Sequence, residues 1–279
     1  MKTTMSNILA RWSSRLMVVV CCACAIFIIG LLAIITGYLL VIGVQSIHWS
    51  LFTHLPYDTP PGMKDAIVGT LYLVAMASVI GIPLGMLAGI HLAEYESHSR
   101  LATPARFVAD VLAGVPSIVV GVLGYQLVVK QMGQCGLAGA LALAFIMIPI
   151  VARTTEEMLR LVPNSYREAS VALGASRAHT ILGVVIPAAT GSLVTGVLLA
   201  IARVAGETAP LLFTIGTASW IEANPARPFP ALTIRIFNLS NQDTPAEHAM
   251  AWAGILVLIG LIFFVNIAVR YFTRQKYVA

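Results

Sequence analysis

Ala202-Arg203-Val204-Ala205-Gly206-Glu207-Thr208-Ala209-Pro210 lies inside an apolar run, residues 186–216, that carries no other charge. An ionised side chain at bilayer depth costs about 3 kcal/mol or more, so an arginine there needs a partner, a water-filled cavity or an anion. The composition says that the run crosses a membrane. With 58% hydrophobic and 10% charged residues, the chain is far more apolar than a soluble domain, about a quarter of which is charged. Its 279 residues fit one membrane domain of several spans without a large soluble unit.

Working outward from Arg203, the fifth of six expected spans begins after Pro187, because proline is accepted in a first helical turn and disruptive later. Counting from Ala188 places Arg203 roughly 22 Å along the helix, inside a hydrocarbon core of about 30 Å. Glu207 then falls one turn further on, on the same face, where it can pair with Arg203. Before this span lies a charged stretch, residues 153–180, with two capping-box patterns, Thr154-Thr155-Glu156-Glu157 and Ser165-Tyr166-Arg167-Glu168. The second opens a short helix, which Gly174 stops in a left-handed turn.

The other spans are expected at residues 17–44, 66–93, 107–129, 137–151 and 251–269, each an apolar run, with Asp110 near the start of the third the one charge among them. Gly81, Gly85 and Gly89, four residues apart, mark a face on which the second span packs closely against another helix. Pro116 bends or breaks the third. The proline-rich outer loop, 220–250, contains an apolar stretch, 231–237, expected to pack back on the membrane domain.

Charge sets the orientation. Most of the 17 lysines and arginines fall in the N-terminal arm, after the second and fourth spans and in the tail, while the opposite side holds Lys64, Lys130, Arg227 and Arg235. Positive residues stay inside, so both termini are cytoplasmic, and the net charge of +5 reflects topology rather than nucleic-acid binding. Cys21, Cys22, Cys24 and Cys135 lack zinc-type spacing and read as small packing residues. No two of the six histidines have the i, i+4 spacing of a metal pair. There is no phosphate-cradling G-x-x-x-x-G-K-[ST] and no nucleophile–base set, so neither nucleotide hydrolysis nor other catalysis is expected of this chain.

Glu168-Ala169-Ser170-Val171-Ala172-Leu173-Gly174-Ala175, followed at a distance by Ile186-Pro187, resembles the cytoplasmic loop of permease subunits of ATP-binding-cassette importers. More narrowly, Arg153 to Glu157, Gly114-Val115-Pro116-Ser117 and Ala202 to Leu211 resemble the PstA-type permeases of phosphate-specific importers. The resemblance covers the second to sixth spans. It implies an all-α membrane protein of the type I importer (MetI-like) fold in a bacterial inner membrane. It also implies a second homologous permease as heterodimer partner, two ATP-binding-cassette subunits carrying ATP and magnesium, and a periplasmic phosphate-binding protein, with no cofactor or metal on this chain. Arg203, Glu207 and Thr208 are then expected on the phosphate pathway. Glu168, Ala169, Leu173, Gly174 and Ala175 are expected to dock the ATPase, with Pro116 and Pro187 as helix breaks. The organisation expected is an arm (1–16), a first span with its outer loop (17–65), a permease core (66–271) with a coupling loop (153–183), and a tail (272–279). A permease for sulfate or molybdate shares these features, and a secondary anion transporter shares the six spans and the intramembrane arginine.

Overall fold

The first apolar run forms α1 (Lys2–Gln45) in the computed structural model, which describes residues 2–95 and 102–274. Ile26, Phe27 and Ile34 of α1 are exposed on the isolated chain, as suits a helix bathed in lipid tails. Cys21, Cys22 and Cys24 share that exposed surface, so they are not packing residues within this chain. Near its end α1 is tied to the last span: Tyr38 meets Trp252 edge-on, ring centroids 5.5 Å apart.

Span two is α2 (Lys64–Tyr95), whose last residues, His91–Tyr95, form a π turn. Then come α3 (Ala102–Gly114) and α4 (Ser117–Met132), which meet at 93°. Val115 and Pro116 stand between them, Pro116 with φ −56° and ψ 130°, so the expected bend is a full break. Among the described residues five helices are long and apolar enough to cross a membrane, and the crossings number six where the bent pair is counted as one span. Arg100, Lys276 and the end of the expected tail, 275–279, lie outside the described residues.

Two expected boundaries are corrected. The fourth span does not end at residue 151 but continues as α5 (Gly136–Arg160). Thr154 is therefore no cap: its hydroxyl donates to the carbonyl oxygens of Ile150 at 2.9 Å and Val151 at 3.1 Å, inside the helix. Glu156 is fully buried and holds Arg106, Arg153 and Arg160, which keeps the last turns folded inward. The fifth span does not start after Pro187 but runs as α7 (Arg177–Ala205). A π turn, Ile181–Val185, immediately precedes Ile186-Pro187. A proline inside a helix lacks one donor and crowds the preceding turn, and a widened turn there relieves both.

Between these spans lies α6 (Asn164–Ala172), so helix ends occupy both margins of the loop expected over 153–183. Its N-cap is Pro163, with no side-chain capping bond, so the second capping box does not form either. Gly174 does adopt the expected left-handed conformation, with φ +83°. Beyond α7 follow α8 (Ala209–Thr214), α9 (Leu232–Ser240) and α10 (Pro245–Arg274). The stretch expected to fold back does so: Leu232 is fully buried and its N–H donates to Thr70 Oγ1 at 2.8 Å, while Arg235 pairs with buried Asp65 at 2.7 Å.

The main core sits where α2, α5, α7 and α8 meet, built from Leu73, Ala77, Leu143, Met147, Val151, Ala200, Val204 and Leu211. The glycine face of α2 lies on α5. A Cβ added at Gly85 would stand 2.7 Å from Val151 Cβ and 2.8 Å from the Ile148 carbonyl oxygen, so only glycine permits this approach.

Candidate functional site

Arg203 lies in the last turn of α7, two residues before the helix ends. Val204 beside it is 1% exposed and Ala200 fully buried, which fixes the helix in the core while the Arg203 side chain is exposed on the isolated chain. The span from Arg177 is 29 residues long. At 1.5 Å per residue Arg203 is about 39 Å along it, beyond the thickness of a typical hydrocarbon core, so the arginine belongs to the far end of the span rather than near its middle.

Glu207 is not on that helix. Gly206 caps α7, its N–H donating to the Arg203 carbonyl oxygen at 3.3 Å, and the Glu207 N–H donates to Val204 O at 3.2 Å. The shared face expected of residues four apart is lost at this break. Among the described residues neither the Arg203 guanidinium nor the Glu207 carboxylate has an ion-pair or side-chain hydrogen-bond partner, so the expected resting pair is not formed. Glu207 and Thr208 are half-buried, and the Glu207 carbonyl oxygen accepts a bond from Thr233 Oγ1 at 3.4 Å, which ties the break to α9. The Thr208 carbonyl oxygen accepts from the N–H groups of Leu211 and Leu212 at 3.1 and 3.2 Å, opening α8.

The break in α7 and the break at Pro116 belong to one region. Gly121, one turn into α4, lies against Ala209 and Pro210, and a Cβ there would be 2.8 Å from Pro210 Cα. Two interrupted helices thus meet beside Glu207 and Thr208. Such irregular backbone is tolerated where protein groups or water satisfy its donors and acceptors.

The second predicted group lies at the opposite end of α7. Glu168 and Ala169 on α6, with Leu173 and Gly174 just past its end, are exposed, Leu173 to 89%, while Ala175 is half-buried. Tyr166, Ala169, Leu173, Gly174 and Ala175 line one cleft of about 560 Å³ together with His179. Tyr166 and Val171 of α6 are exposed as well, so Leu173 is not a lone apolar side chain on this surface. Pro187 lies inside α7 and is not part of either group.

Two acidic residues at the α6 end escaped the sequence reading. Glu156 stood unremarked inside a capping-box pattern and Glu94 at the polar end of the second span, yet both carboxylates are buried, Glu156 held by Arg106, Arg153 and Arg160 and Glu94 by Arg167. In the sequence Arg106, Arg153, Arg160, Arg167 and Arg177 share that side with them, but the topology already accounted for those cations, so nothing local marked the two acids as their partners.

Comparison with known proteins places this geometry. The profile of the family described as "Binding-protein-dependent transport system inner membrane component" matches residues 81–276. The chain is 42% identical to the phosphate transport system permease protein PstA of Yersinia pestis over 84% of this chain and 81% of that one. It is 40% identical to the PstA of Haemophilus influenzae over 84% of each chain. A probable PstA of Methanocaldococcus jannaschii is 39% identical over 75% of each. Among solved structures, the inward-facing MetNI methionine ABC transporter superposes with a TM-score of 0.60 at 18% identity, covering 77% of this chain and 94% of that one. An amino acid ABC transporter gives 0.52, also at 18% identity, covering 77% and 92%. At that identity the two structures speak for the helical fold alone.

Proposed function

Because the chain belongs to the family of binding-protein-dependent transport system inner membrane components, we propose that it is the PstA-type permease of an ATP-driven importer and forms, with a second homologous permease, the pathway for inorganic phosphate. The observation that carries this reading is Arg203: a permanently charged side chain at a helix break, exposed on one subunit and, among the described residues, without an ion-pair or side-chain hydrogen-bond partner. Such a group needs water, an anion or a neighbouring subunit.

Phosphate carries one or two negative charges near neutral pH, and a planar guanidinium presents paired donors that match its oxygens. Thr208 adds a neutral hydroxyl past the break. Glu207 sets the limit: a carboxylate near the site repels the anion, and conduction requires binding that is weak enough to release. The surface carrying Arg203 is assigned to the second permease, so that the pathway runs between the two subunits.

The exposed face of α6, with Glu168, Ala169, Leu173, Gly174 and Ala175, is the docking surface for an ATP-binding-cassette subunit, two of which serve the pair of permeases. ATP and magnesium reside there, and this chain binds no cofactor or metal. A periplasmic phosphate-binding protein delivers the ion to the outer face. In the same reading the protein is a multi-pass inner-membrane protein with both termini cytoplasmic. Residues 66–271 are the permease core with coupling loop 153–183, 17–65 a peripheral helix and outer loop, and 1–16 and 272–279 cytoplasmic arm and tail.

Uptake by vesicles carrying the whole complex, with phosphate, sulfate and molybdate compared, tests the assignment. Phosphate is expected to be taken up in preference to both other oxyanions. Equal or preferred uptake of sulfate or molybdate refutes the substrate, and uptake that persists without the ATPase refutes the importer class.

A further inference from the structure

Glu94 lies in the π turn that ends α2, and its side chain is 7% exposed. A carboxylate so far removed from water must be matched by charged donors. One side chain does this: Arg167 of α6, whose Nη2 is 2.5 Å from Glu94 Oε1 and whose Nε is 3.1 and 3.2 Å from the two oxygens. Its other donors reach the carbonyl oxygens of Leu159 at 2.9 Å and Val162 at 2.7 Å, and Asn164 Oδ1 at 3.3 Å. The Leu159 carbonyl lies in the last turn of α5, where a helix has no backbone donors left to offer, and the Val162 carbonyl in the turn just past its end. Arg167 therefore grips the ends of α2 and α5 at once.

The connections to the three spans differ in kind. α5 and α7 flank α6 in the chain and are joined to it by short segments. A buried hydroxyl–hydroxyl bond of 2.9 Å between Ser170 and Thr180 strengthens the link to α7. α2 has no such covalent tie, since Glu94 and Arg167 are 73 residues apart. Arg177, the first residue of α7, adds a bond to the Glu94 carbonyl oxygen and stacks over the Tyr95 ring, but it touches the same turn from the span, not from α6. The paired, charge-assisted contact of Arg167 with Glu94 is thus the direct tie from α6 to α2, and a two-point contact transmits direction as well as force.

We propose that Glu94 is a positioning residue of transport: through Arg167 it makes α2 follow α6, so that a displacement of α6 reaches the span on which the glycine-packed α5 rests. The proposal rests on the reading of α6 as the helix that docks the ATPase. A pair that merely stabilised the fold would lower the amount of assembled protein and leave the work done per ATP unchanged in what assembles.

The whole complex is reconstituted in vesicles with its binding protein, and phosphate taken up per ATP hydrolysed is measured for wild type, Glu94→Gln and Arg167→Lys. The lysine variant keeps the charge and loses the fork. Both variants are expected to retain the ATPase and to fall by about fivefold or more in phosphate per ATP, the lower end of ordinary coupling between sites. The exchange Glu94→Arg with Arg167→Glu is expected to recover part of that loss. An unchanged ratio in Arg167→Lys overturns the proposal even where Glu94→Gln does not assemble. Leu173→Asp separates the two ideas: ATPase retained by that variant refutes the docking reading, whereas ATPase lost there with an unchanged ratio in Arg167→Lys refutes this proposal alone.

Discussion

Replacing Glu156 by glutamine removes the charge on which three guanidiniums converge, and the structure says how unequal the three losses are. The carboxylate is fully buried and receives Arg106 Nε at 2.5 Å, Arg160 Nη2 at 2.7 Å and Arg153 Nη1 at 3.3 Å. Arg160 is 46% exposed, so water replaces most of what it loses. Arg153 keeps Asp110 at 2.8 Å. Arg106 is 20% exposed and retains the Leu92 carbonyl oxygen at 3.2 Å, but among the described residues it has no second carboxylate. Breaking a buried pair costs about 3–5 kcal/mol and an exposed one about 0–1 kcal/mol. With one well-buried partner of three, and an acceptor oxygen left on the glutamine, the expected loss is about 2–3 kcal/mol. For a chain of this size that lowers the unfolding midpoint by about 3–5 °C. Heating the purified complex in detergent and measuring the permease left in the monodisperse fraction reads this shift. Arg160→Gln, in contrast, is expected to cost under about 1 kcal/mol. Equal shifts in the two variants, or a wild-type midpoint in Glu156→Gln, refute the reasoning.

Gly85→Val pushes methyl groups into Val151 and the Ile148 carbonyl, where even a Cβ has 2.7–2.8 Å, and is expected to destabilise α2 against α5 by about 1–3 kcal/mol in the same heating assay; an unchanged midpoint means the helices do not touch there. Leu173→Asp is expected to leave that midpoint within about 0.5 kcal/mol of wild type, since the side chain is 89% exposed, while sharply reducing co-purification of the ATPase. In the outer loop, the Asn224 N–H, then the Trp220 indole and the Ala223 N–H, hold the Glu222 carboxyl below its ordinary 4.5. The loop order it supports is therefore present above pH 4.5 and lost as pH falls through the lower folded value. The Trp220-dependent fluorescence, taken as the difference from Trp220→Phe, is expected to change below pH 4.5 and to show no such step in Glu222→Gln; a midpoint at or above 4.5 contradicts this.

Features written in local sequence were legible. The apolar runs announced six crossings, Pro116 the broken helix, Gly174 the left-handed stop, and the glycine spacing in α2 its packed face. What was misread depended on residues distant in sequence or on two signals in conflict. The fourth span looked short because charges begin at Arg153, yet Arg106, 50 residues away from Glu156, supplies the charge that lets the helix continue. Pro187 looked like a helix start, and nothing in the sequence announced the π turn that lets it sit inside one. Residues 203 and 207 looked like neighbours on one face because the apolar run continues past them. Gly206 followed by Pro210 was a stop-and-restart signal that the continuity of hydrophobicity masked.

That correction changes what Arg203 can do. At a break, with no ion-pair or side-chain hydrogen-bond partner among the described residues, its guanidinium keeps its donors unoccupied, which is what the proposed role on the phosphate pathway requires. Phosphate uptake by vesicles carrying the complex with Arg203→Gln, at matched levels of assembled protein, tests this most directly. The account predicts that uptake is lost by about tenfold or more, as the removal of a charge-assisted contact of 1.4 kcal/mol or more requires, with the ATPase still bound. Uptake near wild type from an assembled complex contradicts it.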